Sequence, residues 1–447
     1  MTDSDLPSSA GITPANPSML STFLNDHRDA PGFELTYTAD GSERRELCHS
    51  VSLAAVALER LSAAPAIQCT PVEPQRDQFT VGVDAIDLLA VVEPPAKLYT
   101  ARAETSAEEA TGLRRLAEAN PDAVQLSSLF TLLDREDENP FREQVALQAL
   151  RRVAEVRPAE CTPAIPILRS LLARETLVGR ADALIALRAI GETDPGSIAP
   201  LTVELVSHLD SNVVSVRREA TRCIAAIADE SPDDVVGAVP ALATIVEDRA
   251  DGYQYAVYAL SGITCTYPEA VKPVAETLGT IILDDALCDG VRLSASAALG
   301  RIAGVYPSVG VDIVDDVATL FDAANPKLRN NAIGLVGDVA IIHTDVVEPH
   351  TETIATLLTV DDTYTRINAS GALSRVAEDF PDSVDHLTPT FLELLSDESP
   401  LVRENACWGL GYLSARDAVS TLEERAHDDE NADVRERASW ALAQIET

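Results

Sequence analysis

The chain has 447 residues, of which 46% are hydrophobic and only 4% aromatic, and 72 acidic against 34 basic residues give a net charge of −38. A chain of this length is too long for one compact core unless it is elongated or repetitive, and the low aromatic content disfavours an aromatic-cored sandwich. The negative charge argues against general DNA binding, which requires a basic surface.

The acidic residues are spread along the whole sequence, and only three of the basic residues are lysines: Lys97, Lys272 and Lys327. This acid-rich, lysine-poor and arginine-retaining composition resembles that of cytoplasmic proteins from salt-loving archaea. In molar salt the Debye length falls to about 3 Å, so repulsion over longer distances is screened. We therefore interpret the net charge as an adaptation to salt rather than as evidence for a basic partner.

The seven cysteines form no CxxC motif, and several fall on apolar helix faces, which indicates reduced thiols. No signal-peptide pattern opens the chain, and no apolar run reaches 18 residues. We therefore expect a soluble, intracellular protein of the cytoplasm.

Residues 1–30 are rich in Ser, Pro and Asp, and we expect them to be disordered. We predict that residues 31–102 form a small α/β unit. The stretches FELTYTAD (33–40) and QFTVGVD (78–84) alternate like strands, whereas RRELCHSVSLAAVALERL (44–61) has the pattern of an amphipathic helix. Two roles remain open for this unit, an N-terminal cap and a docking domain for a partner.

Residues 103–447 repeat a pattern in which an Ala is followed by apolar residues four and seven positions later. Because these three positions lie on one side of a helix, the pattern predicts a buried helical stripe. A second apolar helix precedes each stripe, and a Pro closes most units. Most repeats are 37 residues long, which predicts a solenoid of about ten antiparallel helix pairs. The Ala positions are Ala146, Ala183, Ala220, Ala256, Ala295, Ala332, Ala369, Ala406 and Ala438, with Glu109 at the equivalent position of a weaker first copy.

The stretches DESPLVRENACWGLGYL and DDENADVRERASWALAQI resemble HEAT repeats, and the second is similar to the lyase-type HEAT variant. The resemblance covers roughly 103–447 and includes the turn Asp and second-helix Arg of the family, here Asp397 with Arg403 and Asp429 with Arg435. It implies an all-α fold, a right-handed α-α superhelix. It also implies a scaffold function for most members of the family.

An Arg three residues before the Ala recurs in several repeats, for example Arg217 and Arg366. We expect this side chain to bond turn carbonyls or an acidic neighbour and so to lock adjacent repeats together.

The sequence contains no evident catalytic centre, cofactor site or metal site. HExxH, the His-Glu dipeptides of HEAT-type hydroxylases, a P-loop and GxSxG are absent, and no GxGxxG opens a strand-to-helix turn. We therefore expect no enzymatic activity, no cofactor and no bound metal. The lyase-type resemblance keeps a HEAT-type lyase as an alternative.

Positions two residues before and two, five and nine residues after the Ala are predicted to line the concave face. Several arginines near these positions form a basic cluster, which we call the Arg patch. Two interpretations remain open: the patch binds an acidic partner segment, or its members only pair with Glu118, Glu155 and Glu192. The Arg patch consists of Arg114, Arg151, Arg188, Arg218 and Arg222.

Aromatic residues at the same face offer a second candidate site. Trp408, Trp440 and Tyr258 each lie two residues after the Ala, and Tyr253 is close to Tyr258. Exposed aromatics are favoured anchors for partners, although each could instead pack across a neighbouring helix. Small residues lie between the two sites, which suggests close approach of an adjacent helix or of a bound segment: Ala297, Gly300, Gly334, Gly337, Gly371 and Ser374.

These features predict a non-catalytic scaffold or adaptor that binds another protein through an acidic or extended segment in the concave groove. A signalling or chemotaxis-like motility assembly is one setting for such an adaptor. A nucleic-acid-binding or base-repair module would instead use the Arg patch on phosphates. We expect no membrane association and no nucleic acid partner.

Overall fold

The computed structural model describes residues 10–53, 66–101, 103–135 and 139–446. The chain divides into two compact units, Met1–Cys223 and Ile224–Thr447. The first unit contains a β-sheet followed by helix pairs, and the second contains helix pairs throughout its described residues. The fold is therefore a helical repeat fold with a small N-terminal sheet unit, as the sequence predicts.

The N-terminal sheet has six antiparallel strands in the order β1-β6-β2-β3-β4-β5. A helix, α1 (Pro17–Asp26), follows the first strand. The strands are β1 (Gly11–Ile12), β2 (Phe33–Ala39), β3 (Ser42–Leu53), β4 (Ala66–Pro71), β5 (Phe79–Gly82) and β6 (Ile86–Val91).

The predicted disorder of residues 1–30 is wrong for residues 10–30. Asn16 caps α1 by accepting a hydrogen bond from the Met19 N–H, and Leu20 and Phe23 are buried in the core of the sheet unit. Composition suggested disorder because the apolar residues of this segment are few, but the sheet provides the surface on which they pack. Residues 1–9 lie outside the described residues.

The predicted amphipathic helix over 44–61 is wrong for 44–53, which belong to β3. Asp40 and Gly41 both have positive φ, 54° and 74°, and form the tight turn that pairs β2 with β3. An Asp-Gly pair between two strands is a strong hairpin signal. Residues 42–48 of β3 pair with β2 and residues 48–53 pair with β4, so bonds between strands override the local helical pattern. Residues 54–61 lie outside the described residues.

The sheet packs on the first long helix of the repeats, within the first unit. Arg115 is buried and donates hydrogen bonds to the carbonyls of Pro71 and Glu73 at 2.8 and 3.1 Å. A Cβ at Gly112 would lie 1.9 Å from the Tyr99 carbonyl oxygen, so only glycine allows this contact. These contacts join the N-terminal sheet unit to the first long helix of the repeats.

The described helices of the repeats alternate between a segmented first helix and a continuous second helix. Pro stands in the first turn of many segments, where its missing N–H costs nothing. Those that start in the first unit are α2 (Ser106–Ala119), α3 (Leu126–Leu133), α4 (Pro140–Ala154), α5 (Pro158–Cys161), α6 (Ile165–Leu172), α7 (Arg180–Gly191), α8 (Pro195–Ile198), α9 (Thr202–Val206) and α10 (Val214–Glu230).

The second unit continues the alternation. Its helices are α11 (Pro232–Val235), α12 (Val239–Glu247), α13 (Tyr253–Ile263), α14 (Pro268–Val271), α15 (Ala275–Leu283), α16 (Asp289–Val305), α17 (Val314–Ala318), α18 (Pro326–Val339), α19 (Thr344–Val347), α20 (Thr351–Ala355), α21 (Thr363–Asp379), α22 (Pro381–Val384), α23 (Thr388–Leu394), α24 (Pro400–Tyr412), α25 (Val419–Asp428) and α26 (Ala432–Ile445). Short 3-10 helices join the segments, for example Thr162–Ala164 and Asp385–Leu387.

The repeat positions predicted from the sequence all fall on the second helices α2, α4, α7, α10, α13, α16, α18, α21, α24 and α26. Each of the nine predicted Ala residues is buried, with at most 3% of its surface exposed. A methyl side chain at this position lets neighbouring helices approach closely while removing apolar surface from water. The buried stripe is therefore confirmed.

The Arg three residues before the Ala forms the predicted clamp. Arg217 donates to the carbonyl of Ser211 at 2.7 Å, and Arg366 donates to the carbonyls of Val360 and Asp361, both at 2.9 Å. These bonds satisfy carbonyls in the turn before the second helix. The prediction that this Arg bonds turn carbonyls is confirmed.

Two of these clamps also reach the next repeat. Arg366 binds the carboxylate of Asp397 through Nε and Nη2, at 2.8 and 3.2 Å. Arg403 binds Asp429 in the same forked geometry, with both distances 2.9 Å. Burial by itself would raise the pKa of Asp429, but the hydrogen bonds from Arg403 hold that pKa below its ordinary value. The turn Asp of one repeat is thus held by the Arg of the preceding repeat.

Candidate functional site

The Arg patch lies on second helices of the first unit. Arg114 pairs with Glu118 on its own helix. Arg188 pairs with Glu192 in the same way, with 2.7 Å between Nη1 and Oε2. At these two positions the structure has the intrahelical pairs that the sequence offered as one alternative.

Arg151 has a different partner from the one that its spacing suggested. Its Nη1 lies 2.8 Å from Oδ1 of Asp182 on the next second helix, while Glu155 is 3.4 Å from Arg152. Burial raises the pKa of Asp182, and the neighbouring Arg151 opposes that rise. The pairing between helices was not foreseen because it depends on how two helices pack, not on spacing within one.

Glu219 lies at the centre of the rest of the patch and is only 3% exposed. It is contacted by Nε of Arg188 at 3.1 Å, by Nε of Arg218 at 3.2 Å and by Nη1 of Arg222 at 3.5 Å. Arg222 also reaches Glu192 at 3.2 Å. The carboxylates of the chain therefore already hold these guanidinium groups, and binding of an acidic partner there stays a prediction.

We expect Arg188→Gln to lower the free energy of unfolding by about 1.5–3 kcal/mol, because it removes charged hydrogen bonds and leaves the buried Glu219 with fewer donors. Arg152→Gln is the matched control, since Arg152 is half-exposed and has one long pair at 3.4 Å; we expect a loss below about 1 kcal/mol. Urea denaturation in high salt measures both. Equal, small losses would contradict a structural role for Arg188.

The predicted tyrosines lie on α13 in the second unit. Tyr258 contacts Tyr255 edge-on, with ring centroids 6.1 Å apart, and Arg249 lies over the ring of Tyr253 at 5.3 Å. Burial and a hydrogen bond with Cys288 raise the pKa of Tyr258. Both predicted tyrosines are half-buried and already contact neighbouring side chains.

The two tryptophans, which lie in equivalent positions of the last two repeats, come together in one cluster. The ring centroids of Trp408 and Trp440 are 4.7 Å apart, and Tyr412 contacts both at 5.6 and 5.0 Å. Arg437 stacks on Trp408 with its guanidinium carbon 3.6 Å from the ring centroid. The alternative of packing across a neighbouring helix therefore describes their contacts, yet all three rings remain half-exposed.

The glycines on the second helices have two different environments. A Cβ at Gly411 would lie 2.5 Å from Trp440, and one at Gly262 would lie 2.7 Å from the Ala228 carbonyl oxygen. These two glycines permit close approach of the adjacent helix. Around Gly300 no heavy atom of the described residues lies within 4 Å of the added Cβ, so this position leaves open surface.

Three cavities lie over the second helices of the second unit. The surface that lines them runs from Ser261 on α13 to Tyr412 on α24, and we call it the inner groove. The first has a volume of about 570 Å³ and the second about 270 Å³, and both are lined by Ala297, Asn330 and Asn331. The third, about 340 Å³, is lined by residues that include Arg375, Trp408 and Tyr412. We call it the Arg375 cavity.

Asparagines recur along the inner groove one residue before the buried Ala. Asn331 donates to Ser296 at 2.8 Å, Asn368 donates to Asn330 at 2.8 Å, and Asn405 donates to the Ile367 carbonyl and to Ser370, both at 3.0 Å. Each amide is thus fixed against the preceding second helix. Their regular spacing of 37 residues is visible in the sequence, but an Asn has neither the charge nor the aromatic ring that marks the other candidate residues of this face.

Within residues 10–53, 66–101, 103–135 and 139–446, none of the helices combines the length and apolar character needed to cross a membrane. The same residues bring together no group of three or more His, Cys, Asp or Glu side chains that could hold a metal ion.

The fold and the inner groove define a helical repeat protein, and comparisons with known proteins agree with this class. The family described as HEAT repeats matches residues 388–447, which confirms the predicted resemblance for the last repeats. The structure is similar to UNC-45 from Drosophila melanogaster, with a TM-score of 0.58 and 15% identity. The similarity covers 79% of this chain and 58% of the UNC-45 chain, and at this identity it shows the fold alone. Comparison with curated proteins gave no match.

Proposed function

We propose that this chain is a non-catalytic scaffold that binds an extended segment of a partner protein along the inner groove. The observation that carries the proposal is the row of open cavities over α16, α18, α21 and α24. A small molecule is normally held in one enclosed pocket, whereas several shallow cavities over successive helices suit an extended chain.

The lining of the inner groove also suits a polypeptide. Asn331, Asn368 and Asn405 recur at one repeat position, and an Asn amide offers a donor and an acceptor like those of a peptide group. Gly300 leaves open surface in the floor of the groove, and Gly334 leaves room for the Asn368 amide, whose nitrogen would lie 3.2 Å from a Cβ at Gly334. Half-exposed aromatic residues such as Trp408 are enriched in protein interfaces.

The Arg patch supports the proposal less well. An acidic partner would have to displace carboxylates such as Glu219, which is 3% exposed and contacts three arginines. Displacing a buried carboxylate leaves it without its donors, which is costly. The inner groove is therefore the site we propose, with the Arg patch as part of the structural framework.

The setting that we propose is the cytoplasm of a salt-adapted cell, where the chain acts as an adaptor in a signalling or motility assembly. The net charge of −38 supports a protein partner over a nucleic acid, because phosphate binding requires a basic surface.

The proposal predicts that a photo-reactive side chain placed at Ala297 captures a partner, because this residue lines two of the cavities. Mass spectrometry of the cross-linked peptides should locate the contact in one short segment of the partner. Thr353 is the matched control, since it is exposed on the first helix α20. Equal capture from both positions, or capture from Thr353 alone, would contradict the groove.

A further inference from the structure

One position of the inner groove carries charged residues in three successive repeats. Arg301, Asp338 and Arg375 each lie six residues after the buried Ala, 37 residues apart, and Tyr412 follows at the same interval. The four residues belong to consecutive second helices, α16, α18, α21 and α24. The charges of Arg301, Asp338 and Arg375 alternate in sign, and we call these three residues the charged column.

The three charged side chains lack the partners that most other arginines and buried acids of the chain have. Among the described residues, no hydrogen bond or ion pair reaches the side chain of Asp338 or Arg375, although both are half-buried. Within the described part of the chain, Arg301 bonds only to neutral groups: the carbonyl and hydroxyl of Ser261 and the hydroxyl of Thr264, at 3.2–3.4 Å. By contrast, the clamp arginines Arg366 and Arg403 bind both carboxylates and carbonyls. They belong to two neighbouring repeats.

Burial of Asp338 and Arg375 has a free-energy cost that no hydrogen bond from the described residues offsets. It lowers the pKa of Arg375 and raises the pKa of Asp338, and the attraction between these two groups opposes both shifts without bringing them into hydrogen-bonding distance. A half-buried guanidinium that lines a cavity of about 340 Å³ can still accept a carboxylate in a forked pair. A half-buried carboxylate such as Asp338 can likewise accept an ammonium group.

The spacing of the column fits one extended conformation in particular. Packed helices lie about 8–10 Å apart, so the charges should recur at roughly that interval along the groove. A polyproline II helix has three residues per turn and rises about 3.1 Å per residue, so every third side chain faces the same way at intervals of about 9 Å. A β-strand places every third side chain on alternating faces and therefore does not match.

Building on the proposed scaffold function, we propose that the inner groove binds a polyproline II segment in which acidic, basic and acidic side chains follow at every third residue. The acidic side chains face Arg301 and Arg375, and the basic one faces Asp338. The order acidic, basic, acidic is the same from either end of the segment. The pattern therefore fixes which residues face the groove but not the direction in which the chain runs. A polyproline II chain has no internal hydrogen bonds, which leaves its peptide groups open to the asparagines of the groove.

The test on the unmodified chain uses three peptides that share proline spacers and lack aromatic residues, and the Asp338→Lys variant is also tested with a fourth. The matched probe is acetyl-Glu-Pro-Pro-Lys-Pro-Pro-Glu-amide, the permuted probe is acetyl-Glu-Pro-Pro-Glu-Pro-Pro-Lys-amide, and the inverted probe is acetyl-Lys-Pro-Pro-Glu-Pro-Pro-Lys-amide. Trp408 and Trp440 are the only tryptophans of the chain, and Trp408 lines the Arg375 cavity, so tryptophan fluorescence reports on the site. Calorimetry at the lowest KCl concentration that keeps the chain folded measures affinity.

We expect the matched probe to bind about tenfold more tightly than the permuted probe, which has the same composition and charge. The inverted probe should bind more weakly than the matched one, although its positive charge favours it on a chain of net charge −38. Arg375→Gln should abolish the preference. Asp338→Lys should transfer it to a probe with Glu at all three positions, an outcome that misfolding would not produce.

Three results would contradict the proposed acidic-basic-acidic pattern. They are equal affinity for the three probes, absence of binding, and a preference that survives Arg375→Gln. These outcomes leave the scaffold function standing as long as the Ala297 cross-links still map to one partner segment. Loss of those cross-links would overturn the scaffold function itself, so the two failures are distinguishable.

Discussion

Replacing Arg403 with Ala should lower the free energy of unfolding by about 3–5 kcal/mol, the range for breaking a buried ion pair by removing one partner. Its side chain is 6% exposed, and that of its partner Asp429 is 1% exposed. Besides the forked bonds to Asp429, the substitution removes bonds to the carbonyls of Asp397 and Glu398. Asp429 would keep its bond from the Asn431 N–H and a longer contact to Arg425, at 3.6 Å.

Arg435→Ala is the matched control for this prediction. Arg435 occupies the same position of the last repeat and donates to the carbonyls of Asp429 and Glu430. Among the described residues, however, no ion pair joins its side chain to a carboxylate. We expect a loss of about 1–2 kcal/mol from the turn bonds alone. Urea denaturation followed by circular dichroism compares the two variants, and equal losses would show that the pair with Asp429 contributes nothing.

Lowering the KCl concentration from 2 M to 10 mM should lower the Tm by more than about 10 °C. The Debye length grows from about 3 Å in molar salt to about 30 Å at 10 mM. The repulsion that results from the excess of 72 acidic over 34 basic residues is then no longer screened. For units of about 220 residues, such a shift corresponds to roughly 3–5 kcal/mol. Thermal melts followed by circular dichroism give the Tm at each concentration.

Sucrose provides the control for the salt prediction. It stabilises folded proteins because it is excluded from their surface, and it screens no charge. If screening is the cause, sucrose in 10 mM KCl should recover only a small part of the lost Tm. A Tm that is independent of KCl, or full recovery by sucrose, would contradict adaptation to salt.

The repeat was predictable from the sequence because it depends on short-range periodicity. The buried Ala, the apolar residues that follow it and the Arg three residues before it all lie within one helix. The same holds for the pair of Arg188 with Glu192, which are four residues apart. Features of this kind need no knowledge of how helices pack against one another.

The errors arose where contacts between elements decide the outcome. Residues 44–53 have a helical pattern but form a strand, because the first half of that strand bonds to β2 and the second half bonds to β4. Arg151 binds Asp182 on another helix rather than Glu155 on its own. The charged column of Arg301, Asp338 and Arg375 was regular in the sequence, but only the structure shows that, among the described residues, no hydrogen bond or ion pair reaches the side chains of Asp338 and Arg375.

The clamp formed by Arg403 and Asp429 affects how such a chain can lengthen by duplication of repeats in its gene. The same joint connects Arg366 to Asp397, and each joint uses one position of a helix and one position of the following turn. Neither joint depends on residues peculiar to its repeat, so the parts are interchangeable. A duplicated gene segment that encodes one helix pair would arrive with both halves of the connection already in place. Insertion of a whole unit is therefore tolerated far better than insertion of a few residues, which would move the Arg and the Asp out of register.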